Sequence, residues 1–156
     1  MKTFKLLVTT AALVFATAAQ AESEIVVTAL RTPTNIENTG TQVTIVDSTD
    51  ITNRQTATIA ELLATLPGIT IDRSGNTGSV SSVRIRGAES AQTLVLLDGV
   101  RMNDVAHPAA GFDFGSLVTG NIDRIEILRG PSSVLWGSQA VGGVVSLTTR
   151  DRKSVV

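Results

Sequence analysis

Two segments alternate branched apolar residues with charged residues, and this alternation constrains the fold more than any other feature. In the segment 82–87, SVRIRG, Val83 and Ile85 fall on one side and Arg84 and Arg86 on the other. The segment 122–130, IDRIEILRG, repeats the pattern. Successive side chains of a β-strand point to opposite faces of a sheet. The pattern therefore predicts two strands, each with one buried face and one charged, solvated face.

Further segments predict strands, and one predicts a helix. In TIAELLATLPG, apolar residues at i, i+3, i+4 and i+7 form one helical stripe. Thr58 and Glu61 have the spacing of a capping box, and Pro67 and Gly68 end the helix. The segment 131–137 predicts a helical turn with Pro131 at its first position. Additional strands are predicted at 24–29, 42–47, 68–73, 93–99 and 142–149.

Three polar segments rich in turn residues separate these elements. The segment 31–41 is predicted to be a flexible connector, and 74–82 and 105–116 are predicted to be long loops. Strands and short helices are intermixed along the chain. The predicted fold class is therefore α+β, with a small mixed β-sheet, short helices and long loops.

The first 21 residues have the pattern of a cleaved export signal. Lys2 and Lys5 precede an apolar run at 6–19, and Ala19 and Ala21 provide the small residues of a cleavage site. The apolar run is shorter than the roughly 18 residues that span a bilayer. We therefore expect a signal peptide at 1–21 and a mature chain that begins at Glu22.

The composition of the mature chain excludes several classes of protein. Without Lys2 and Lys5 the chain has 11 basic and 14 acidic residues, a net charge of −3, and no basic cluster for nucleic acid. It contains no cysteine, so it is not a disulfide-rich domain. Only Phe112, Phe114 and Trp136 are aromatic, whereas a membrane barrel carries aromatic girdles. The domain itself is therefore not predicted to be a lipid-facing barrel.

The chain offers little for catalysis. Its single histidine, His107, precedes Pro108 and is interpreted as a turn residue. No His, Cys and carboxylate cluster has the spacing of a metal site, and no nucleophile elbow or phosphate-binding loop is present. Asp98 and Asp104 are interpreted as turn-capping carboxylates. An enzyme is not expected, and neither is a cofactor.

Several phrases, taken together, resemble the plug domain of TonB-dependent outer-membrane transporters. ELLATLPGI, VRIRG, TLVLLDGVRMND and IDRIEILRGPSSVLWGSQAVGGVVSLTT are similar to that family's plug in order and spacing. The resemblance covers about residues 23–149. Within the family, SSVRIRG, LLDGVRMN and VVTA are most similar to cobalamin transporters. Ferric-siderophore receptors share many of the same sequence motifs.

The resemblance implies that the opening strand is a TonB box. Such a segment lies in the periplasm and adds as a strand to TonB, which works with an inner-membrane energising complex. Strand addition derives affinity from backbone hydrogen bonds and specificity from alternate side chains. We therefore expect the opening strand to be unpaired within the chain. The predicted box consists of Ser23, Glu24, Ile25, Val26, Val27, Thr28, Ala29 and Leu30.

The resemblance also implies which residues contact the transported substrate. The outward loops are 74–82, 87–92 and 104–112, and the positions matching the cobalamin members are Val80, Ser82 and Glu89, followed by His107 and Pro108. Glu89 departs from the pattern, in which a neutral amide is expected. An acid at this position repels an anionic ligand or is merely solvated.

In this family a barrel of about 22 strands follows the plug and encloses it in the outer membrane. The expected domains are a signal peptide at 1–21, box and connector at 22–41, plug at 42–149 and a tail at 150–156. The tail has no counterpart in the family and is interpreted as a truncation artefact. A stand-alone periplasmic interaction or binding domain is the alternative.

Overall fold

A computed structural model describes residues 25–26, 32, 34–36, 39–102 and 111–150 of the chain. Short 3-10 turns at Ser90–Gln92, Thr119–Asn121 and Ser138–Ala140 connect some of its elements. In chain order, the strands and helices are β1 Ile25–Val26, β2 Thr34–Asn35, β3 Gln42–Val46, α1 Ser48–Arg54, α2 Ile59–Ala64, β4 Ile69–Arg73, β5 Ser81–Ile85, β6 Thr93–Leu97, β7 Val100–Arg101, β8 Ile122–Arg129, α3 Ser133–Trp136 and β9 Gly143–Thr149.

A five-stranded mixed sheet forms the centre of the fold, in the order β3-β8-β9-β6-β7. Strands β6 and β9 are parallel, and the other neighbours are antiparallel. Strand β8 pairs with β3 on one side and β9 on the other, so the alternating segment lies inside the sheet. The predicted α+β class with a small mixed sheet is confirmed.

One face of the sheet packs against both longer helices and a separate hairpin. Strands β4 and β5 form this two-stranded sheet, with Ile69 opposite Ile85. Helix α2 contributes Ile59, Leu62 and Leu63 of the predicted apolar stripe, and all three are fully buried. The side chains that fill this core include Val46, Ile51, Ile59, Leu62, Leu63, Ile85, Phe114, Ile125, Ile127, Val145 and Leu147.

The opposite face of the sheet is covered by the segment between β8 and β9. Trp136 and Ala140 pack there against Leu94, Leu96, Leu128 and Val144. Arg101 donates from Nη2 to the carbonyl oxygen of Trp136 at 2.6 Å, and its guanidinium lies 5.9 Å from the centroid of the indole. The sheet is therefore covered on both faces.

Coverage of both faces corrects one interpretation of the charged alternation. Glu126 and Arg129 are each only 3% exposed, so neither lies on a solvated face of this domain. Glu126 accepts a hydrogen bond from Nε of Arg124 at 2.8 Å. The alternation correctly separates the two sides of β8, but the charged side is enclosed by other parts of the same chain.

The local boundaries differ from the predictions in three places. Helix α1 was not predicted because Ile51 is its only buried residue; the side chain of Asp47 caps it by accepting from the amide of Asp50 at 2.8 Å. Helix α2 ends at Ala64, before Pro67 is reached. The prediction for Pro131 is wrong, because α3 begins at Ser133 and Ser132 is its N-cap residue.

Candidate ligand and partner sites

The carboxylate of Asp113, which directly follows the predicted outward loop 104–112, binds the end of the predicted outward loop 74–82. Its Oδ1 accepts from the backbone amides of Ser81 and Gly115, both at 2.8 Å. The amide of Phe114 donates to the carbonyl oxygen of Ser81 at 2.8 Å. Phe114 is buried and meets Phe112 edge to face, with 4.9 Å between the ring centroids. The segment 111–115 is thus fixed to the start of β5.

Two glycines allow this close approach. A Cβ on Gly115 would lie 2.1 Å from the carbonyl oxygen of Ser79, which no side chain permits. A Cβ on Gly111, whose φ is +71°, would lie 2.9 Å from the carbonyl group of Ser90. Glycine is therefore required where the segment 111–115 crosses the loops 74–82 and 87–92, and these loops form one surface.

The structure places three of the five predicted substrate residues on or beside this surface. Val80 is 59% exposed, which is high for a large apolar side chain, and Glu89 is also exposed. Ser82 is half-buried on β5. His107 and Pro108 lie outside the described residues.

Glu89 shares a cationic partner with the β4–β5 hairpin. Nε of Arg84 lies 2.5 Å from Oδ2 of Asp72, and its Nη1 lies 3.6 Å from Oε2 of Glu89. One guanidinium therefore faces two carboxylates, so the negative charge of Glu89 is only partly compensated.

A second arginine site lies where β5 and β8 end. A Cβ on Gly68 would lie 3.9 Å from both Nε of Arg129 and Cγ of Arg86, so the two arginines meet over this glycine. Nη2 of Arg86 donates to Oε1 of Gln42 at 2.7 Å, and Nη1 of Arg129 donates to Oγ1 of Thr44 at 2.5 Å. Both hydrogen bonds lead to strand β3.

The guanidinium of Arg129 lacks partners for its other nitrogens. Nε and Nη2 are buried and have no hydrogen-bond partner among the described residues. Burial, together with the positive charge of Arg86, lowers the pKa of Arg129 below the ordinary arginine value. Buried polar groups without partners are costly, and a guanidinium pairs best with a carboxylate or another anionic group.

The N-terminal strand is not left unpaired. Ile25 and Val26 pair antiparallel with Asn35 and Thr34, forming a two-stranded sheet separate from the central one. The expectation of an unpaired opening strand is therefore wrong for these two residues, and part of the predicted connector is strand β2. The remaining predicted box residues lie outside the described residues.

The part of the chain that the structure describes contains no group of three or more His, Cys, Asp or Glu residues placed to hold a metal ion. In the same residues, no helix has the length and apolar character needed to cross a membrane.

Sequence reasoning did not identify the residues that assemble these sites. Asp113 lies in the segment GFDFG, and an acidic residue flanked by two phenylalanines and two glycines was a signal for a fixed turn. Arg129 also gave a signal, because the alternation places it on the apolar side of β8, with Ile125 and Ile127.

Comparison with known proteins places the chain among transport receptors. The family described as "TonB-dependent Receptor Plug Domain" matches residues 35–144. The chain is 39% identical over 134 residues to "Vitamin B12 transporter BtuB" of Vibrio cholerae serotype O1, which covers 86% of this chain and 22% of that protein. The chain thus spans about a fifth of the length of this relative.

Solved structures agree with this match. The siderophore receptor PirA from Acinetobacter baumannii has a TM-score of 0.56 and 27% identity, covering 70% of this chain and 17% of that chain. FpvA from P. aeruginosa, solved with bound pyoverdines, has a TM-score of 0.64 and 20% identity, covering 81% of this chain and 16% of that chain. At this identity FpvA supports the fold alone. With a family match over most of its length and a relative at 39% identity, the chain belongs to the TonB-dependent receptor plug domain family.

Proposed function

We propose that this chain is the gating plug of an outer-membrane active transporter that takes up cobalamin. The observation that carries the proposal is the 39% identity to a vitamin B12 transporter over 86% of the chain. The plug lies inside the barrel of the same receptor, with the TonB box in the periplasm. TonB and its inner-membrane energising complex open the path for substrate by pulling on this box.

The surface formed by the loops 74–82, 87–92 and 111–115 supports a substrate-binding role. Its backbone is held by Asp113 and by the close approaches at Gly111 and Gly115. It presents an exposed apolar side chain, Val80, beside polar groups. A rigid surface loses little conformational entropy when it binds a ligand.

Uptake by the complete receptor tests the proposed substrate. The complete gene is expressed in a bacterial strain that lacks its own vitamin B12 and enterobactin receptors, and uptake of cyanocobalamin and ferric enterobactin is measured separately. We expect TonB-dependent uptake of cyanocobalamin. Uptake of ferric enterobactin alone would identify a siderophore, and not cobalamin, as the substrate. Uptake of neither compound would contradict both proposed substrates.

A ferric siderophore is the second candidate substrate. It is supported by the structural similarity to the siderophore receptor PirA at 27% identity. A stand-alone periplasmic interaction domain is the remaining alternative; a stop codon in the genomic DNA directly after codon 150 would favour it.

The charge of Glu89 provides a test that separates the two substrates. In Glu89→Gln we expect the affinity for an anionic iron chelate to rise about threefold, because a unit charge about 7 Å away contributes roughly 0.6 kcal/mol in water. Equilibrium binding to the complete receptor measures the effect. Asp123→Asn removes an exposed charge at the far end of β8 and serves as the matched control. Weaker binding of the chelate in Glu89→Gln would show that Glu89 donates a favourable contact instead.

The environment of Arg129 supports the proposal that a barrel encloses the plug. Its two unpartnered nitrogens need an acceptor, and the polar lumen of a barrel can supply a carboxylate. Arg86, beside it, carries an exposed guanidinium that already reaches β3. We therefore place this end of β5 and β8 against the barrel wall.

Replacing Arg129 with methionine distinguishes a barrel contact from an internal one. In Arg129→Met we expect the 156-residue chain to gain about 1–2 kcal/mol of unfolding free energy, because a buried charge without full pairing is costly. The complete receptor is expected to lose uptake activity. Thermal unfolding and uptake are measured beside Arg73→Met, which removes an exposed arginine. A destabilised chain would instead assign Arg129 to the domain's own structure.

A further inference from the structure

Arg84 lies on the outer side of the β4–β5 hairpin, next to the loop surface. Ser82 and Arg84 are two positions apart on β5, so their side chains share one face of the strand. Val83 and Ile85 lie on the other face and are buried in the core, which fixes the position of the strand. The side chain of Arg84 is therefore placed beside Ser82, one of the predicted substrate residues.

The other arginines of this part of the chain point elsewhere. The basic residues of the sequence 69–92 are Arg73, Arg84 and Arg86. Arg73 follows Asp72, the carboxylate partner of Arg84, so its side chain lies on the opposite face of the hairpin. Arg86 lies beyond the end of β5 and donates to strand β3. An anionic group that approaches the outer face of the hairpin therefore meets the positive charge of Arg84.

The two carboxylate partners of Arg84 hold its guanidinium unequally. Nε lies 2.5 Å from Oδ2 of Asp72 on the neighbouring strand. Nη1 lies 3.6 Å from Oε2 of Glu89, which is beyond hydrogen-bond distance, and the side chain of Glu89 is 69% exposed. Exposed ion pairs contribute little to stability and are easily exchanged. Asp72 thus fixes one edge of the guanidinium, whereas the contact with Glu89 is replaceable.

The remaining edge of this guanidinium can bind another group. Within the described residues, neither Nη1 nor Nη2 of Arg84 makes a hydrogen bond. A guanidinium binds carboxylate or phosphate oxygens through two parallel N–H groups, which adds geometric specificity to the electrostatic attraction. An anionic oxygen group bound at this edge takes the place that Glu89 now faces.

We propose that Arg84 determines whether the plug accepts a substrate with an anionic oxygen group, and that this group displaces Glu89 from the guanidinium. This inference rests on the proposed function, because it requires that the loop surface binds the transported substrate. The phosphodiester of cobalamin and the catecholate oxygens of ferric enterobactin both have the required chemistry. A ligand without an anionic group gains nothing from Arg84.

Equilibrium binding to the complete receptor tests this role, with cyanocobalamin and ferric enterobactin as separate probes. In Arg84→Gln, we expect the affinity for the probe that the wild type binds to fall about tenfold, because a charge-assisted contact is lost. Arg73→Gln removes an equal charge from the other face of the hairpin, and its affinity is expected to stay within about twofold of the wild type. The salt dependence of binding is expected to be weaker in Arg84→Gln than in the wild type.

Arg84→Lys separates the charge of this residue from its packing. Lysine keeps the charge and most of the aliphatic stem but loses the planar fork, so we expect an affinity within about threefold of the wild type. The thermal midpoints of Arg84→Gln and Arg84→Lys are expected to match that of the wild type, since exposed ion pairs add little stability.

The outcomes separate this inference from the function on which it rests. An affinity within twofold of the wild type in Arg84→Gln would overturn the role of Arg84 and leave the proposed function in place. A loss that Arg84→Lys does not restore at all would also overturn it, because Arg84 would then act through the packing of the hairpin. If the wild-type receptor binds neither compound, the proposed function is refuted, and the role of Arg84 with it.

Discussion

Val27→Pro is expected to abolish productive binding of TonB and to stop uptake by the complete receptor. Proline has no amide hydrogen to donate and resists strand pairing. We expect a loss of roughly 100-fold in affinity, or about 2.8 kcal/mol. About half of this comes from the one amide hydrogen bond that proline removes, and the rest from the steric resistance of proline to strand pairing. Calorimetric titration with the periplasmic domain of TonB measures this loss.

The folding of the domain provides the control for this variant. The central sheet begins at Gln42, well after position 27, so the thermal midpoint of Val27→Pro is expected to match that of the wild type. Val27→Thr keeps both the amide and a β-branched side chain, and it is expected to bind TonB with nearly wild-type affinity. Wild-type affinity in the proline variant would refute strand addition as the mode of recognition.

Gly115→Ala is expected to produce the largest stability change among the glycine variants of the loop surface. The added methyl would lie 2.1 Å from the carbonyl oxygen of Ser79, and that oxygen already accepts from Oγ of Ser81 at 2.9 Å. Relief of the clash must move the segment 111–115 away from β5. We expect a loss of about 3 kcal/mol, since overpacking typically costs 1–3 kcal/mol and the two amide bonds to Asp113 weaken as well.

Thermal unfolding measures this loss, with Gly120→Ala as the matched control. No atom lies within 4 Å of a Cβ at Gly120, and that residue is exposed. The control is expected to unfold within about 0.5 kcal/mol of the wild type, as is usual for surface substitutions. If Gly115→Ala unfolds like the control, the segment 111–115 is not fixed to the hairpin, and the common loop surface does not exist.

Much of the local structure could be predicted because it depends on short-range periodicity. The apolar spacing in 58–68 predicted helix α2, and the alternation in 82–87 and 122–130 predicted β5 and β8. Helix α1 was missed because one apolar residue, Ile51, makes no stripe. Strand β7 has only two residues and is too short to show a period.

The candidate site was predictable only in part. Val80, Ser82 and Glu89 came from a family resemblance, and the structure places them on or beside the loop surface. The contact between that surface and the segment 111–115 could not be predicted, because Asp113 and Ser81 are separated by 32 positions in the chain. Contacts between residues so far apart in the chain depend on how the β4–β5 hairpin packs. Local sequence patterns do not predict this packing.

The sequence alone determined which residues share a side of each strand and where the main elements lie, since backbone geometry makes side chains alternate. Only the tertiary structure decided what covers each side. By its spacing Glu126 is predicted to be a surface charge, yet it is buried because distant parts of the chain close over β8. Arg129 falls on the apolar side of the same strand, and it is buried as well. The pairing of Ile25 and Val26 with β2 also depends on the folded chain. The edge of a strand can pair with any suitable strand, so the sequence of β1 alone does not determine its partner.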